Sequence, residues 1–350
     1  MPVREPRWWY GAGGTLAEAA LAPVSSIWSW AATRRMAAAP QYRAPFPVIC
    51  VGNLTAGGTG KTPLSILIAE TLLAKGLAPV FLSRGYGGAI KGPHRVDAAR
   101  DSAGAVGDEP LLLARTAPVM IARDRAAGAR AIAQTATAQT VVIMDDGLQN
   151  PALAKDLTFA VVDGRRGIGN GRVMPAGPLR APLAVQLAHV DAVIMNVPDV
   201  ATAAGEPVVA RFRTGFQGPV LLASAMPRDT TDWLAGQDVI AFAGIGSPQR
   251  FFDLLTRIGA HVVATEIFAD HHPFTDADAV RLLAMAQHRH ALLVTTEKDL
   301  ARIAGQPGVR GALAAACRSL PITLAMSESD RDRLGALIEA ARDRHARAGS

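Results

Sequence analysis

At 350 residues the chain has room for about two domains, each with a core of its own. Hydrophobic residues make up 49% and charged residues 19%, which excludes a disordered chain, and the net charge of +6 favours anionic partners: nucleotide, lipid phosphate or membrane surface. Aromatics are only 5% and no basic patch interleaves with stacking rings, which argues against nucleic acid; the two isolated cysteines, Cys50 and Cys317, make no disulfide framework and suit a reducing cytosol.

The first element departs from that soluble picture. Between Trp8 and Thr33 the only charge is Glu18, and Trp8, Trp9, Tyr10, Trp28 and Trp30 crowd the segment. Arg4 and Arg7 precede it, and Arg34 and Arg35 follow. Gly11, Gly13, Gly14 and Pro23 make it a poor spanning helix, and arginines stand where a signal peptide needs small residues. Aromatics and arginines at both ends suit a helix lying in a membrane interface; the plainer alternative is a packing helix that covers the sheet. Short apolar runs then alternate with helical stretches, the pattern of a parallel sheet flanked by helices. Strands are predicted at 48–51, 80–83, 119–122, 141–144, 159–162 and 192–195, with helices at 61–75 and 125–137. Residues 199–218 turn to Ala, Gly, Pro and Thr and read as a linker with a short ribbon at 208–212. A second α/β set follows, with strands at 239–242, 262–267 and 292–295 and helices near 249–258, 276–289 and 331–344. The predicted organisation is therefore an interface helix over 1–36, a larger α/β domain over 37–205, a ribbon linker over 206–218 and a smaller α/β domain over 219–350.

"ICVGNLTAGGTGKTP" lies where a phosphate loop must lie, after a buried strand and at the start of a helix. Gly57, Gly58 and Gly60 let backbone N–H groups turn toward phosphate oxygens, and the helix N-terminus adds partial positive charge. The binding run is Thr55, Ala56, Gly57, Gly58, Thr59, Gly60, Lys61 and Thr62, with Lys61 for the β- and γ-phosphates and Thr62 for Mg²⁺. Thr55 replaces the usual entry glycine, which does not itself hold the γ-phosphate. "TVVIMDDGLQN" supplies the second half of such a site: an apolar strand ending in Asp145 and Asp146, carboxylates for the metal's water shell, or in the plainer alternative a strand-end turn. Ala56 stands where partitioning ATPases carry a lysine, and "TTEKD" (295–299) is no N-K-x-D guanine reader. An ATP-dependent kinase or ligase remains.

"LSRGYGG", "GDEP", "DDGLQ", "GNGRVMPAGPLRAP", "FADHHPF" and "TTEKD" follow one another along the chain. With "GNLTAGGTGKTP" and the aromatic N-terminal helix, this ordered set resembles the tetraacyldisaccharide 4'-kinase family from about residue 7 to residue 340. The resemblance implies a P-loop kinase domain and a smaller α/β domain joined by a two-stranded ribbon. It implies MgATP as phosphoryl donor and, as acceptor, the 4'-hydroxyl of a tetraacylated glucosamine disaccharide 1-phosphate in lipid A biosynthesis. It places the enzyme at the cytoplasmic face of the bacterial inner membrane, with no obligate protein partner. Asp108 of "GDEP" and His271 of "DHHPF" match the family's proposed catalytic pair, beside Lys61; helix capping and an ordinary loop histidine are the alternatives. A zinc half-site at His271 and His272 fails for want of further ligands at the right spacing. Arg84, Glu109, Gln149 and Arg180 are candidates for substrate or phosphate contact. Two departures stand out: Asn150 replaces a usual histidine after the "DDGLQ" run, and Ala181 replaces the usual glutamate of "GPLREP". Two rivals remain, a membrane-recruited ATPase switch without an acceptor and a P-loop ligase of dethiobiotin-synthetase type.

Overall fold

The structure is a computed structural model that describes residues 5–11 and 15–349. Arg4, Gly13 and Gly14 lie outside the described residues. Thirteen strands form two sheets. In chain order they are β1 (Val48–Asn53), β2 (Ala78–Ser83), β3 (His94–Arg95), β4 (Val119–Ile121), β5 (Thr140–Asp145), β6 (Leu157–Asp163), β7 (Ala192–Val197) and β8 (Val220–Pro227). Then come β9 (Asp238–Ala243), β10 (His261–Ile267), β11 (Leu292–Thr296), β12 (Cys317–Leu320) and β13 (Ile322–Ala325). The larger sheet runs β13-β8-β7-β6-β1-β5-β2-β4-β3, and the smaller runs β10-β9-β11-β12. Both are parallel except at the two ends of the larger one, where β3 meets β4 and β13 meets β8 in antiparallel fashion. β1, β5, β6 and β7 are buried at every residue, as unbroken apolar runs covered by helices on both faces should be. β1 lies between β5 and β6, so the loop after β1 and the carboxylates ending β5 emerge side by side at one sheet edge.

The ribbon expected at 208–212 is instead part of a helix, Pro207–Gly215. Pro207 at the first turn presets the helical φ, and Val209, Phe212 and Phe216 are buried at helical spacing, so this face outweighs the β-branched pair at its start. β8 follows and belongs to the larger sheet. The smaller sheet spans 238–320, after which β13 returns to pair with β8, from Ile322 opposite Pro227 to Ala325 opposite Ser224. This antiparallel pair, at the edge of the larger sheet, is where the chain leaves for the smaller sheet and returns from it. The last helix, Glu328–Gly349, goes back to the larger domain and buries Leu334, Ile338 and Ala341 in its core. The C-terminal 30 residues therefore do not belong with the smaller sheet.

The N-terminal helix, Leu16–Met36, begins at Thr15, whose hydroxyl accepts from the Glu18 amide. Glu18, Ser25 and Met36 are its buried residues, spaced by seven and eleven, close to two and three whole turns, which keeps them on one face. That face rests on residues 169–182: Ser25 Oγ donates to the Val173 carbonyl at 2.7 Å and Glu18 accepts from Asn170 at 3.0 Å. Leu16, Val24, Ile27, Trp28 and Trp30 remain exposed on the rest of the helix. Among the described residues no helix is long and apolar enough to cross a membrane.

Candidate active site

The phosphate loop runs from the end of β1 to the helix Lys61–Ala74, with Gly57 at φ 92° and Gly60, its N-cap, at φ 101°. Both values fall where only glycine is unstrained. Thr55 needs no such freedom: it forms an extended bridge with Leu179, and the Ala56 amide donates to the Pro178 carbonyl at 2.8 Å. The entry to the loop is therefore held by residues 178–180 and has no use for the missing glycine. Arg180 completes the brace: its amide donates to Leu54 O at 2.9 Å and its Nε to Thr55 O at 3.2 Å. Its guanidinium pairs with Asp146 at 2.8 Å, and Lys61 Nζ stands 3.7 Å from the same carboxylate oxygen.

The two carboxylates of β5 differ. Burial alone would raise the pKa of Asp146, but Arg180 and Lys61 outweigh it and hold the carboxyl below the usual range. Asp145 is fully buried; burial and the nearby Glu109 charge push its pKa up. Its Oδ1 accepts from Ser65 at 3.2 Å, whereas Oδ2 is buried with no hydrogen-bond partner. Lys61 and Lys298 offset part of the burial cost at a distance, but the orphaned oxygen of a buried carboxylate still has unmet bonding capacity. That orphaned oxygen, with buried Thr62 at the helix start, fits a divalent cation. Of the adjacent pair, the Asp146 side chain already has two cationic partners, whereas the described hydrogen bonds of the Asp145 side chain include no cation, Arg125 reaching only its backbone carbonyl.

Across the cleft, the smaller domain presents His271 at φ 56° in the loop after β10. His271 Nδ1 is 3.2 Å from Asp108 Oδ2, at the start of helix Asp108–Leu113 in the larger domain. Burial would lower the histidine pKa, but the hydrogen bond and charge of Asp108 carry it upward. Burial would raise the Asp108 pKa, but His271 and Arg302 together hold it well below the carboxylate range. Arg302 reaches Asp108 through Nε at 2.8 Å and a second, shorter contact, while its Nη1 donates to Gly244 O at 2.7 Å and to Asp299 at 2.6 Å. Glu109 pairs with Lys298 at 2.5 Å. Lys298 and Arg302 lie four apart on helix Glu297–Ile303, one face of which grips the "GDEP" turn. "TTEKD" left Lys298 unassigned, and nothing in the sequence marked Arg302.

A cavity of about 400 Å³ lies between the domains, lined by the phosphate loop, Asp146, Arg180, Glu109 and His271, with Tyr86 at its rim. The Tyr86 and His271 rings are 5.0 Å apart. Other predicted residues lie elsewhere. Arg84 is exposed and does not line the cavity, its place being taken by Tyr86 two residues on. Gln149 donates to Asn53 O at 2.8 Å and to Gln186 at 2.7 Å, which braces β1 from behind. Asn150 closes its own turn through Ala152. Ala181 is fully buried among Leu54, Leu148 and Leu179, so no carboxylate enters the cleft from that position. His272 pairs with Asp278 at 2.9 Å and stacks on Phe268, facing away from Asp108.

Comparison with known proteins identifies the family. The profile of the family described as tetraacyldisaccharide-1-P 4'-kinase matches residues 17–341. Curated relatives named tetraacyldisaccharide 4'-kinase include one from Methylobacterium nodulans, 48% identical over 96% of both chains. Another, from Rhodospirillum centenum, is 47% identical over 99% of this chain and all of its own. The crystal structure of LpxK from Aquifex aeolicus in complex with ATP superposes with a TM-score of 0.71 at 25% identity, covering 93% of this chain and 100% of that one. The chain belongs to the tetraacyldisaccharide-1-phosphate 4'-kinase family.

Proposed function

We propose that this chain transfers the γ-phosphate of ATP to the 4'-hydroxyl of a tetraacylated glucosamine disaccharide 1-phosphate, the kinase step of lipid A biosynthesis. The observation that carries the reading is the pair Asp108–His271, assembled from two domains across a cleft from the phosphate loop. A switch that only hydrolyses ATP has no use for an acid–base pair on the acceptor side, and a ligase acting on a soluble acid has none for the N-terminal helix.

The phosphate loop holds the nucleotide, and Lys61 neutralises charge on the phosphoryl group as it moves. Thr62 and Asp145 would hold Mg²⁺, which when bound draws charge from the β- and γ-phosphate oxygens. Asp146 orients Lys61 and Arg180. Asp108 holds Nδ1 of His271, which leaves Nε2 toward the cavity to take the proton of the attacking hydroxyl. Asp108, clamped by Arg302 and lying behind the ring, serves as the positioning carboxylate; the sequence alone favours it as the nearer group.

The exposed face of the N-terminal helix fits a lipid surface. Five large apolar residues are exposed, Trp28 among them with its ring nitrogen tied to the Arg180 carbonyl, Arg34 lies 5.7 Å over the Trp30 ring and Arg35 follows. The enzyme then works as a peripheral protein at the cytoplasmic face of the inner membrane, where its lipid acceptor lies. The test is transfer of label from γ-labelled ATP into the purified lipid. Label at the 4' position supports the kinase. Free phosphate with unlabelled lipid supports the switch, and dependence on a soluble carboxylate supports the ligase.

A further inference from the structure

The two domains meet at the phosphate loop itself. Gly246 and Ser247 form the turn between β9 and the helix Pro248–Arg257. Ser247 Oγ donates to the Gly58 carbonyl at 3.1 Å. A methyl group built on Gly246 would stand 2.4 Å from the Gly58 nitrogen, 3.1 Å from its Cα and 3.2 Å from the Gly57 carbonyl carbon. All three are backbone atoms, so no change of rotamer relieves the overlap. Gly246 itself is not at positive φ, so its own chain tolerates a side chain; only the opposing domain forbids one.

The same turn is tied to the acid–base pair. Two residues before Gly246, the Gly244 carbonyl accepts from the His271 amide at 3.1 Å and from Arg302 at 2.7 Å. The Gly244 amide donates to both oxygens of Asp299 at 3.1 Å. The turn, His271 and Arg302 therefore move as one body, and whatever holds the turn off the phosphate loop also holds His271 off Asp108.

We infer that Gly246 is a positioning residue for phosphoryl transfer: its missing side chain sets how closely the smaller domain closes on the phosphate loop, and through Gly244 it brings His271 onto Asp108. The chemistry of this inference rests on the kinase reading; the closure does not. Gly246→Ala acts on the closed form alone, because in an open form the added methyl meets no opposing backbone.

The experiment compares wild type, Gly246→Ala and Ser247→Ala in three measurements: ATP affinity by calorimetry, kcat and KM for lipid phosphorylation, and closure by energy transfer. Labels go on Leu73→Cys and Val280→Cys, both exposed, while native Cys50 and Cys317 are buried. In Gly246→Ala the expected result is unchanged ATP Kd and melting temperature, kcat lower by roughly ten- to a hundredfold, and a smaller ATP-dependent rise in energy transfer. Ser247→Ala, which removes one hydrogen bond and adds no bulk, should lose less than about tenfold. Wild-type kcat and closure in Gly246→Ala would overturn the inference, as would equal losses in ATP affinity, melting temperature and kcat, which denote mere packing. If wild type labels no lipid, the kinase reading has failed, and the energy-transfer comparison still decides the role of Gly246.

Discussion

Replacing Asp108 by Asn separates the two assignments that the acid–base pair allows. The carboxylate lies 3.2 Å from His271 Nδ1 and is gripped by Arg302, so an amide of the same shape keeps the packing and removes the charge. The groups facing His271 are Asp108, Asp270 with Oδ1 3.9 Å from Nε2, Arg302 and the Tyr86 ring. In wild type the pull of Asp108 overcomes burial and lifts the histidine pKa. A base must be neutral to accept a proton, so kcat/KM should rise with pH through a value above 6.5, the ordinary histidine value. In Asp108→Asn burial and Arg302 act unopposed by that carboxylate, and the limb should move to lower pH while the plateau falls by about 10²–10⁴. If Asp108 itself took the proton, the wild-type limb would lie below the ordinary carboxylate range, since His271 and Arg302 depress its pKa. The assay is initial-rate transfer from labelled ATP across the neutral range, at saturating and limiting lipid. Asp108→Asn combined with His271→Ala should lose little more than the worse single variant, because paired groups act as a unit. Multiplicative losses, or a limb that stays put in Asp108→Asn, would refute the reasoning. Stability follows the same signs. The His271 contribution is fully present below about pH 6.5 and is lost as pH rises through its raised folded pKa. The Asp108 contribution is present above about pH 4 and is lost only as pH falls through its depressed one.

Other sites give sharper yes-or-no outcomes. Lys61→Ala should lower kcat by about 10²–10³ with the fold intact, and near-normal turnover of a folded variant would remove the phosphate-loop assignment. Asp145→Asn should shift the Mg²⁺ titration, whereas Asp146→Asn should lower kcat with little change in the Mg²⁺ midpoint; the reverse pattern would exchange their roles. His272→Ala should keep kcat and cost about 1 kcal/mol in stability through loss of the Asp278 contact, checked by thermal melting. Ile27→Glu with Trp30→Glu should release the enzyme from anionic vesicles in a flotation assay, since each exposed side chain contributes about 1.5–3 kcal/mol when fully buried in lipid. Unchanged flotation would return the helix to a packing role.

What sequence reasoning found and missed divides along one physical line. Local signals were legible: unbroken apolar strands, glycines where φ is positive, carboxylates at a strand end and the histidine whose neighbour faces away. Contacts between distant segments left weaker marks. The Ala, Gly, Pro and Thr of 199–218 suggest a linker with a ribbon at 208–212, yet burial of Val209, Phe212 and Phe216 at helical spacing decides that segment. Val220–Pro227 pairs with Ile322–Ala325 across an inserted sheet, and no local pattern records such a pairing. Arg302 had no motif, although it stands four residues after Lys298 on a short helix, a spacing that places both on one face. Tyr86 rather than Arg84 enters the cleft because the chain leaves β2 with Arg84 turned to solvent, and Gly85 and Gly87, at φ 67° and 80°, bend the loop around it.

Residues 169–182 give the N-terminal helix and the phosphate loop a common support. On one side their carbonyls accept from Trp9 at Pro175, from Ser25 at Val173 and from Trp28 at Arg180. On the other side Pro178 and Arg180 hold Leu54, Thr55 and Ala56, and the Arg180 side chain holds Asp146. The main chain of Arg180 thus carries the Trp28 contact while its guanidinium reaches Asp146. The N-terminal helix is thereby fixed relative to the phosphate loop by one short, hydrogen-bonded segment. The Thr55 substitution belongs to the same arrangement. Where a free-standing phosphate loop turns in with a glycine, this one enters as an extended strand paired with Leu179, and the support takes the place of the turn.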